Sequence, residues 1–174
     1  MGHYKSIVSF YEECFEQYGD VPRGHHWPNM EDLEKRYDTM LGVIRDNSKK
    51  NTILDFGCGS ALLYNYILKN IPNESIIYSG LDLSSKFSDA AKSKFPQIKI
   101  YCFDVLQEPE KLENFDYIVM NGVFTERINL TFDEMWDYFK RMIQIVFAKA
   151  DKGIAFNVMS KQVDWEKDFL FHLP

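Results

Sequence analysis

Asn51-Thr-Ile-Leu-Asp-Phe-Gly-Cys-Gly-Ser-Ala61 decides the fold of this chain. Residues 52–55 form a short apolar run that closes on the carboxylate of Asp55, the pattern of a buried strand. Gly57 and Gly59 then turn the chain sharply toward an apolar helix expected to start near Ser60. Glycine at such a turn leaves backbone N–H groups open to a ligand, with no Cβ in the way. The following helix directs its positive end to the same place. The expected product is a ligand cradle at the carboxyl end of a parallel strand, where open α/β sheets bind their ligands.

Three stretches further along share the design. Ile76-Ile-Tyr-Ser-Gly-Leu-Asp82, Lys99-Ile-Tyr-Cys-Phe-Asp104 and Phe115-Asp-Tyr-Ile-Val-Met-Asn121-Gly122 are short apolar runs that each end on a polar side chain. Residues 153–159 read as a fifth strand. Helical spacing separates them: Leu63, Tyr66 and Ile67 after the first, then Phe87, Ala90, Ala91 and Phe95 after the second, stopped by Pro96. After the fourth, Thr131-x-x-Glu134 is a capping box. Behind it run Phe132, Met135, Trp136, Phe139, Met142, Ile143, Val146 and Phe147, a broad stripe read as core. Strands alternating with helices predict an α/β, three-layer sandwich on a mostly parallel twisted sheet.

Two ligand chemistries compete for the turn. The dinucleotide fingerprint wants a small residue where Leu62 stands, and the carboxylate of Asp55 repels a pyrophosphate but suits a cationic amino-acid group. Asp55-x-Gly57-x-Gly59-x-Ala61, followed by Asp82, Asp104 and Asn121, resembles motif I and its context in the class I (Rossmann-like) S-adenosylmethionine-dependent methyltransferases of small-molecule type. The likeness spans about residues 50–159. It implies strand order 3-2-1-4-5, with S-adenosylmethionine as cofactor and S-adenosylhomocysteine as product. It also implies that Asp55, Gly57, Cys58 and Gly59 lie along the cofactor. Asp82 would grip the ribose hydroxyls, Leu83 lie on the adenine ring, and Asp104 accept from the adenine amino group beside the N–H of Val105. Asn121, at the loop after the fourth strand, is a further candidate cofactor contact, and the planar fork of Arg36 matches the methionine carboxylate. Each residue has a plainer reading. Asp82 and Asp104 also suit caps, Cys58 a small filler and Arg36 a solvated charge; their joint occurrence favours the cofactor.

At 174 residues, 45% of them apolar, the chain supports one domain with a sizeable core. Its formal net charge is −6 and Lys and Arg are scattered among acids, so a nucleic-acid surface is not expected. Methyltransferases of base amino groups usually carry Asn/Asp-Pro-Pro-Tyr/Phe at the fourth strand, where this chain has Asn121-Gly-Val-Phe124. No run is apolar enough to span a bilayer and the first residues lack a signal-peptide core. Gly2 with Ser6 only echoes a myristoylation pattern. Cys14, Cys58 and Cys102 are odd in number and show no metal spacing, so a cytoplasmic setting and no metal are expected.

Before the first strand, Tyr4, Ile7, Val8, Tyr11, Cys14, Phe15 and Tyr18 predict an amphipathic helix stopped by Gly19. Asn29 caps a second helix with Met30, Leu33, Tyr37, Met40, Leu41 and Ile44 inward, which Asn47-Ser-Lys-Lys ends. Residues 1–48 are therefore expected as an N-terminal helical cap and 49–174 as the core, one structural domain in all. The resemblance implies methyl transfer by in-line displacement to a small-molecule acceptor, at a hydroxyl of a sugar or small acid. Candidate catalytic groups are His26, Asn121, Glu126 and His172; candidate acceptor contacts are Trp27, Phe124 and Trp165. A histidine beside Trp-Pro is more often a loop-packing residue than a base. The chain reaches Pro174 without the antiparallel hairpin that ends the family sheet, which leaves the fifth strand as an edge open to a second copy or a partner chain. Two other functions stay open: a non-catalytic methyltransferase-like subunit whose sheet a partner completes, and a nicotinamide-dependent oxidoreductase.

Overall fold

The computed structural model describes residues 4–46, 48–71 and 75–174; Gly2 and Asn47 lie outside them. Two helices come first, α1 (Lys5–Tyr18) and α2 (Met30–Leu41). Gly19 ends α1 at φ 75°, a left-handed position that costs glycine little. The Asn29 side chain accepts from the N–H of Asp32 at 2.9 Å and starts α2. Then follow β1 (Asn51–Phe56), α3 (Leu62–Asn70), β2 (Ile76–Leu81), α4 (Ser85–Lys94), β3 (Lys99–Tyr101), β4 (Phe115–Phe124), α5 (Phe132–Lys149), β5 (Ala150–Ser160) and β6 (His172–Leu173).

The sheet order is β3-β2-β1-β4-β5-β6, with every strand pair parallel. The five expected strands take the expected order. The two-residue β6, which the sequence did not announce, pairs only with Met159 and Ser160, so residues 150–158 of β5 keep an open outer edge among the described residues.

Both faces of the central strands are covered, which is why they read as unbroken apolar runs. Ile53, Tyr117 and Val119 face α2 and α3, packing with Leu33, Tyr37, Met40, Leu63 and Ile67. Leu54, Ile118 and Met120 face the other way, onto Met135, Met142 and Val146 of α5. The capping box of α5 forms as expected: Thr131 Oγ1 accepts from the N–H of Glu134, and Glu134 Oε2 accepts from the N–H of Thr131. Its aromatic stripe is not wholly core, however. Met135, Met142 and Val146 take the inward positions, while Phe132, Trp136 and Phe147 are 36%, 37% and 68% exposed. The apolar set wraps more of the helix than the sheet can cover.

Three boundaries also move. α3 starts at Leu62, because Ala61 adopts φ 62° and continues the turn. β3 stops at Tyr101, three residues before Asp104. β5 starts at Ala150 rather than at residue 153. α2 packs on the sheet face, whereas α1 and the 3-10 turn Pro22–His25 lie across the carboxyl ends of the strands. No helix among the described residues is long and apolar enough to cross a membrane.

Candidate functional site

β1 ends on Asp55, which is buried; its Oδ2 accepts from the Tyr78 hydroxyl of β2 at 2.7 Å. Burial pushes its carboxyl up to about 7, and the nearby charge of Asp82 adds to the shift. The chain then turns through Gly57 (φ 76°) and Gly59 (φ 53°). The N–H groups of Gly57 and Cys58 both donate to Leu81 O, at 2.8 and 3.0 Å. The N–H of Gly59 donates to Asp82 Oδ2 at 2.8 Å, and that of Ala61 to Cys58 O. These four donors are therefore spent inside the protein, contrary to the expectation that the turn offers open N–H groups. The glycines act through close approach instead. A Cβ on Gly57 would stand 2.8 Å from Val123, and one on Gly59 would stand 2.8 Å from the His25 ring.

β2 delivers Asp82, whose Oδ1 accepts from the N–H of Ser84 at 2.9 Å. With two backbone donors on it, this carboxylate is oriented while lone pairs remain for a ligand. Burial raises its pKa against those two donors. Beyond β3, Asp104 accepts from the Tyr4 hydroxyl at 2.7 Å and from the N–H of Leu106 at 3.1 Å. β4 delivers Asn121, whose Oδ1 is buried without a hydrogen-bond donor. Next to it Gly122 sits at φ 84° with its N–H on Asn157 Oδ1, and the Trp27 ring lies 3.0 Å from where a Cβ would be.

These groups share one cleft, enclosing about 1130 Å³, part of it open to solvent. Asp55, Gly57, Cys58, Gly59, Asp82, Leu83, Asp104, Val105, Asn121 and Trp27 all line it. α1 forms its roof with Tyr4, Ile7, Val8 and Tyr11, and is tied down on several elements. Tyr4 reaches Asp104, Ser84 donates to Glu12, and Lys86 pairs with Glu16. His25 lies over Gly59, with Nε2 3.1 Å from Asp20 Oδ1 and 3.0 Å from Ser60 Oγ. Asp20 also pairs with Lys94 at 2.8 Å.

Six expected site residues stand outside the lining. Arg36 places its guanidinium over the Trp27 ring, 5.1 Å from the centroid. His26, at φ 59°, turns its ring edge-on to Phe10 and Tyr11 and brings Nε2 within 3.5 Å of Glu126 Oε1. Glu126 is buried beside Leu170; its Oε2 has no donor and burial lifts its carboxyl to about 7. Phe124 is fully buried core against Phe139, because β4 runs on past the rim. His172 belongs to β6, where Nδ1 lies 3.0 Å from Ser160 O, and the half-exposed Trp165 stands edge-on to it. Tyr4, Ile7, Val8, Tyr11, Tyr138 and Met142 line the cleft unforeseen, and His25, a residue the cap was expected to offer on the acceptor side, lines it too. The α1 stripe carried a signal, but i, i+3, i+4 spacing says only that one face is covered.

Residues 54–146, more than half of the chain, match the family model of a methyltransferase domain. Ribosomal RNA small subunit methyltransferase C of Haemophilus influenzae (strain PittEE) is 29% identical over 105 residues, 58% of this chain and 30% of its own length. Malonyl-[acyl-carrier protein] O-methyltransferase of Acetivibrio thermocellus is 23% identical over 141 residues, 79% of this chain and 46% of its own. The chain thus spans less than half the length of either curated relative. Among solved structures, magnesium protoporphyrin IX methyltransferase from Synechocystis PCC 6803, with bound SAM, is similar with a TM-score of 0.63 and 18% identity. The match covers 94% of this chain and 80% of that one, and shows a shared fold.

Proposed function

The chain belongs to the methyltransferase-domain family, and from that premise we propose that it is an S-adenosylmethionine-dependent methyltransferase acting on an oxygen of a small-molecule acceptor, a sugar or small-acid hydroxyl. The observation that carries this reading is convergence: Asp55, Asp82, Asp104, the Gly57–Gly59 turn and the donor-less Asn121 Oδ1 line a single cleft. The residues fit the cofactor. Asp82 keeps lone pairs for ribose hydroxyls, Leu83 and Val105 offer apolar faces for adenine, and the carboxyl of Asp55 suits an ammonium. S-adenosylmethionine supplies a methyl group activated by attachment to a sulfonium.

The chain's own part is positioning and exclusion of water. α1 and Trp27 roof the cleft, and the lack of a Cβ at Gly57 and Gly59 lets Val123 and the His25 ring close over the turn. His26, Glu126 and His172 lie outside the lining, so the reading assigns them no direct proton transfer. A cytoplasmic setting belongs to the same proposal, supported by three unpaired cysteines. So does a second copy or partner strand on the open edge of β5.

Calorimetry with S-adenosylhomocysteine tests the proposal. A dissociation constant on the order of micromolar is expected, and Asp82→Ala should weaken it by roughly 1–3 kcal/mol, the cost of hydroxyls left without their acceptor. Absence of heat with the intact chain, or heat with reduced nicotinamide cofactor instead, would overturn it.

A further inference from the structure

We propose that the acceptor is an uncharged hydroxyl compound with a flat apolar face, seated against Trp27 and α1, and not a phosphorylated or carboxylate-bearing one. The inference rests on the methyltransferase reading of the same cleft and narrows its substrate class.

Charge is the first argument. Three carboxyl groups line the cleft, and among the described residues no lysine or arginine does. An anionic acceptor would enter with its charge unpaired and beside like charges, in a site that water leaves as it fills. Cations close by are committed elsewhere. Lys86 pairs with Glu16 and Lys94 with Asp20, both fastening the α1 segment, while Arg36 lies over the Trp27 ring outside the lining.

Shape and polarity are the second. Once Leu83, Asp82, Asp104 and Val105 are assigned to the nucleoside, the α1 side of the cleft keeps Ile7, Val8, Tyr11 and the indole of Trp27. Gly122 has no side chain to hold that indole off, so the ring lies directly on the β4 rim. Such a wall favours a planar ring or the C–H face of a sugar. One polar demand remains: Asn121 Oδ1 is buried and needs a donor, which the hydroxyl of the acceptor supplies.

The test uses the full chain saturated with S-adenosylhomocysteine. It is titrated calorimetrically with 4-hydroxybenzamide against 4-hydroxybenzoate, and with methyl glucoside against methyl glucuronide. These pairs are alike in shape and differ in charge. Within at least one pair the neutral member should bind about tenfold or more tightly than its anionic counterpart, the ratio one unpaired charge produces. Val8→Lys places a cation in the wall and, lysine being the better helix former, does not weaken α1. Measured with S-adenosylhomocysteine again at saturation, it should raise the affinity of the anionic members about tenfold. Equal or tighter binding of the anions by the unaltered chain overturns the inference. So does no binding of either neutral probe, or no response to Val8→Lys. Failure to bind S-adenosylhomocysteine at all is a separate result, and it overturns the methyltransferase reading instead.

Discussion

Asp55 and Glu126 are carboxyl groups that burial pushes to about 7, one at the floor of the cleft and one behind its roof. Both hold their protons in the folded chain to a higher pH than in the unfolded one. Between about 4 and about 7 the unfolded state therefore binds fewer protons, and stability from these groups falls as pH rises through that window. The melting temperature should accordingly be higher at pH 5.5 than at pH 8. Glu126→Gln should shrink the difference, since an amide in place of the donor-less Oε2 has no proton to lose. Equal slopes for the two proteins in a thermal-melt series would count against this. Gly59 is the other residue-scale pivot. Gly59→Ala meets both a left-handed backbone and the His25 ring at 2.8 Å. The backbone alone costs about 1–2 kcal/mol, so a lower urea midpoint and loosened S-adenosylhomocysteine binding are both expected. Full retention of either would show that the turn relaxes around the methyl group.

α1 and α2 differ in what holds them. α2 buries Leu33, Tyr37, Met40 and Leu41 against the sheet, whereas α1 fully buries only Ile7. The rest of the grip on α1 combines half-buried ring contacts, such as Phe15 on Phe87 and Phe10 on His26, with polar ties: Tyr4 on Asp104, Glu12 on Ser84 and Glu16 on Lys86. Exposed ion pairs and hydrogen bonds contribute roughly 1 kcal/mol each at most, so α1 should open locally at a lower free energy than α2. Amide hydrogen exchange of α1 should outpace that of α2, and S-adenosylhomocysteine should slow α1 more. Uniform protection across both helices would remove the distinction. Both helices were legible in the sequence through period, Gly19 and Asn29. Their different destinations were not, since an amphipathic pattern records that a face is covered and is silent on what covers it.

The whole molecule has an unbalanced flank. Among the described residues, 150–158 of β5 pair on one side only, and Phe132, Trp136 and Phe156 lie 36–37% exposed on α5 and β5 near that edge. An open strand beside exposed aromatics is a template for further pairing. Sedimentation should therefore find association that strengthens with concentration, and Phe156→Lys should shift the distribution toward monomer. A strictly monomeric wild-type chain at high concentration would refute this. The sequence foresaw β5 as the edge without the short β6 that covers its end at Met159 and Ser160, and it misjudged the aromatics behind that edge, because Trp136 and Phe147 share the helical spacing of residues that do face the sheet.

What the sequence determined by itself was the sheet and its functional rim. Apolar runs ending on Asp55, Asp82, Asp104 and Asn121 are local patterns, and parallel strands leave them little choice but to present those ends along one edge. What only the tertiary structure decided was which side chains stand in front of that edge. Trp27 lines the cleft while Phe124 is sealed in the core. His25 covers the turn while His26, one residue later at φ 59°, faces away. Those outcomes depend on how a helix and a loop settle across the strand ends. That packing is set by contacts between distant segments such as Tyr4 with Asp104 and Phe171 with Thr125, and no local window of sequence contains both partners.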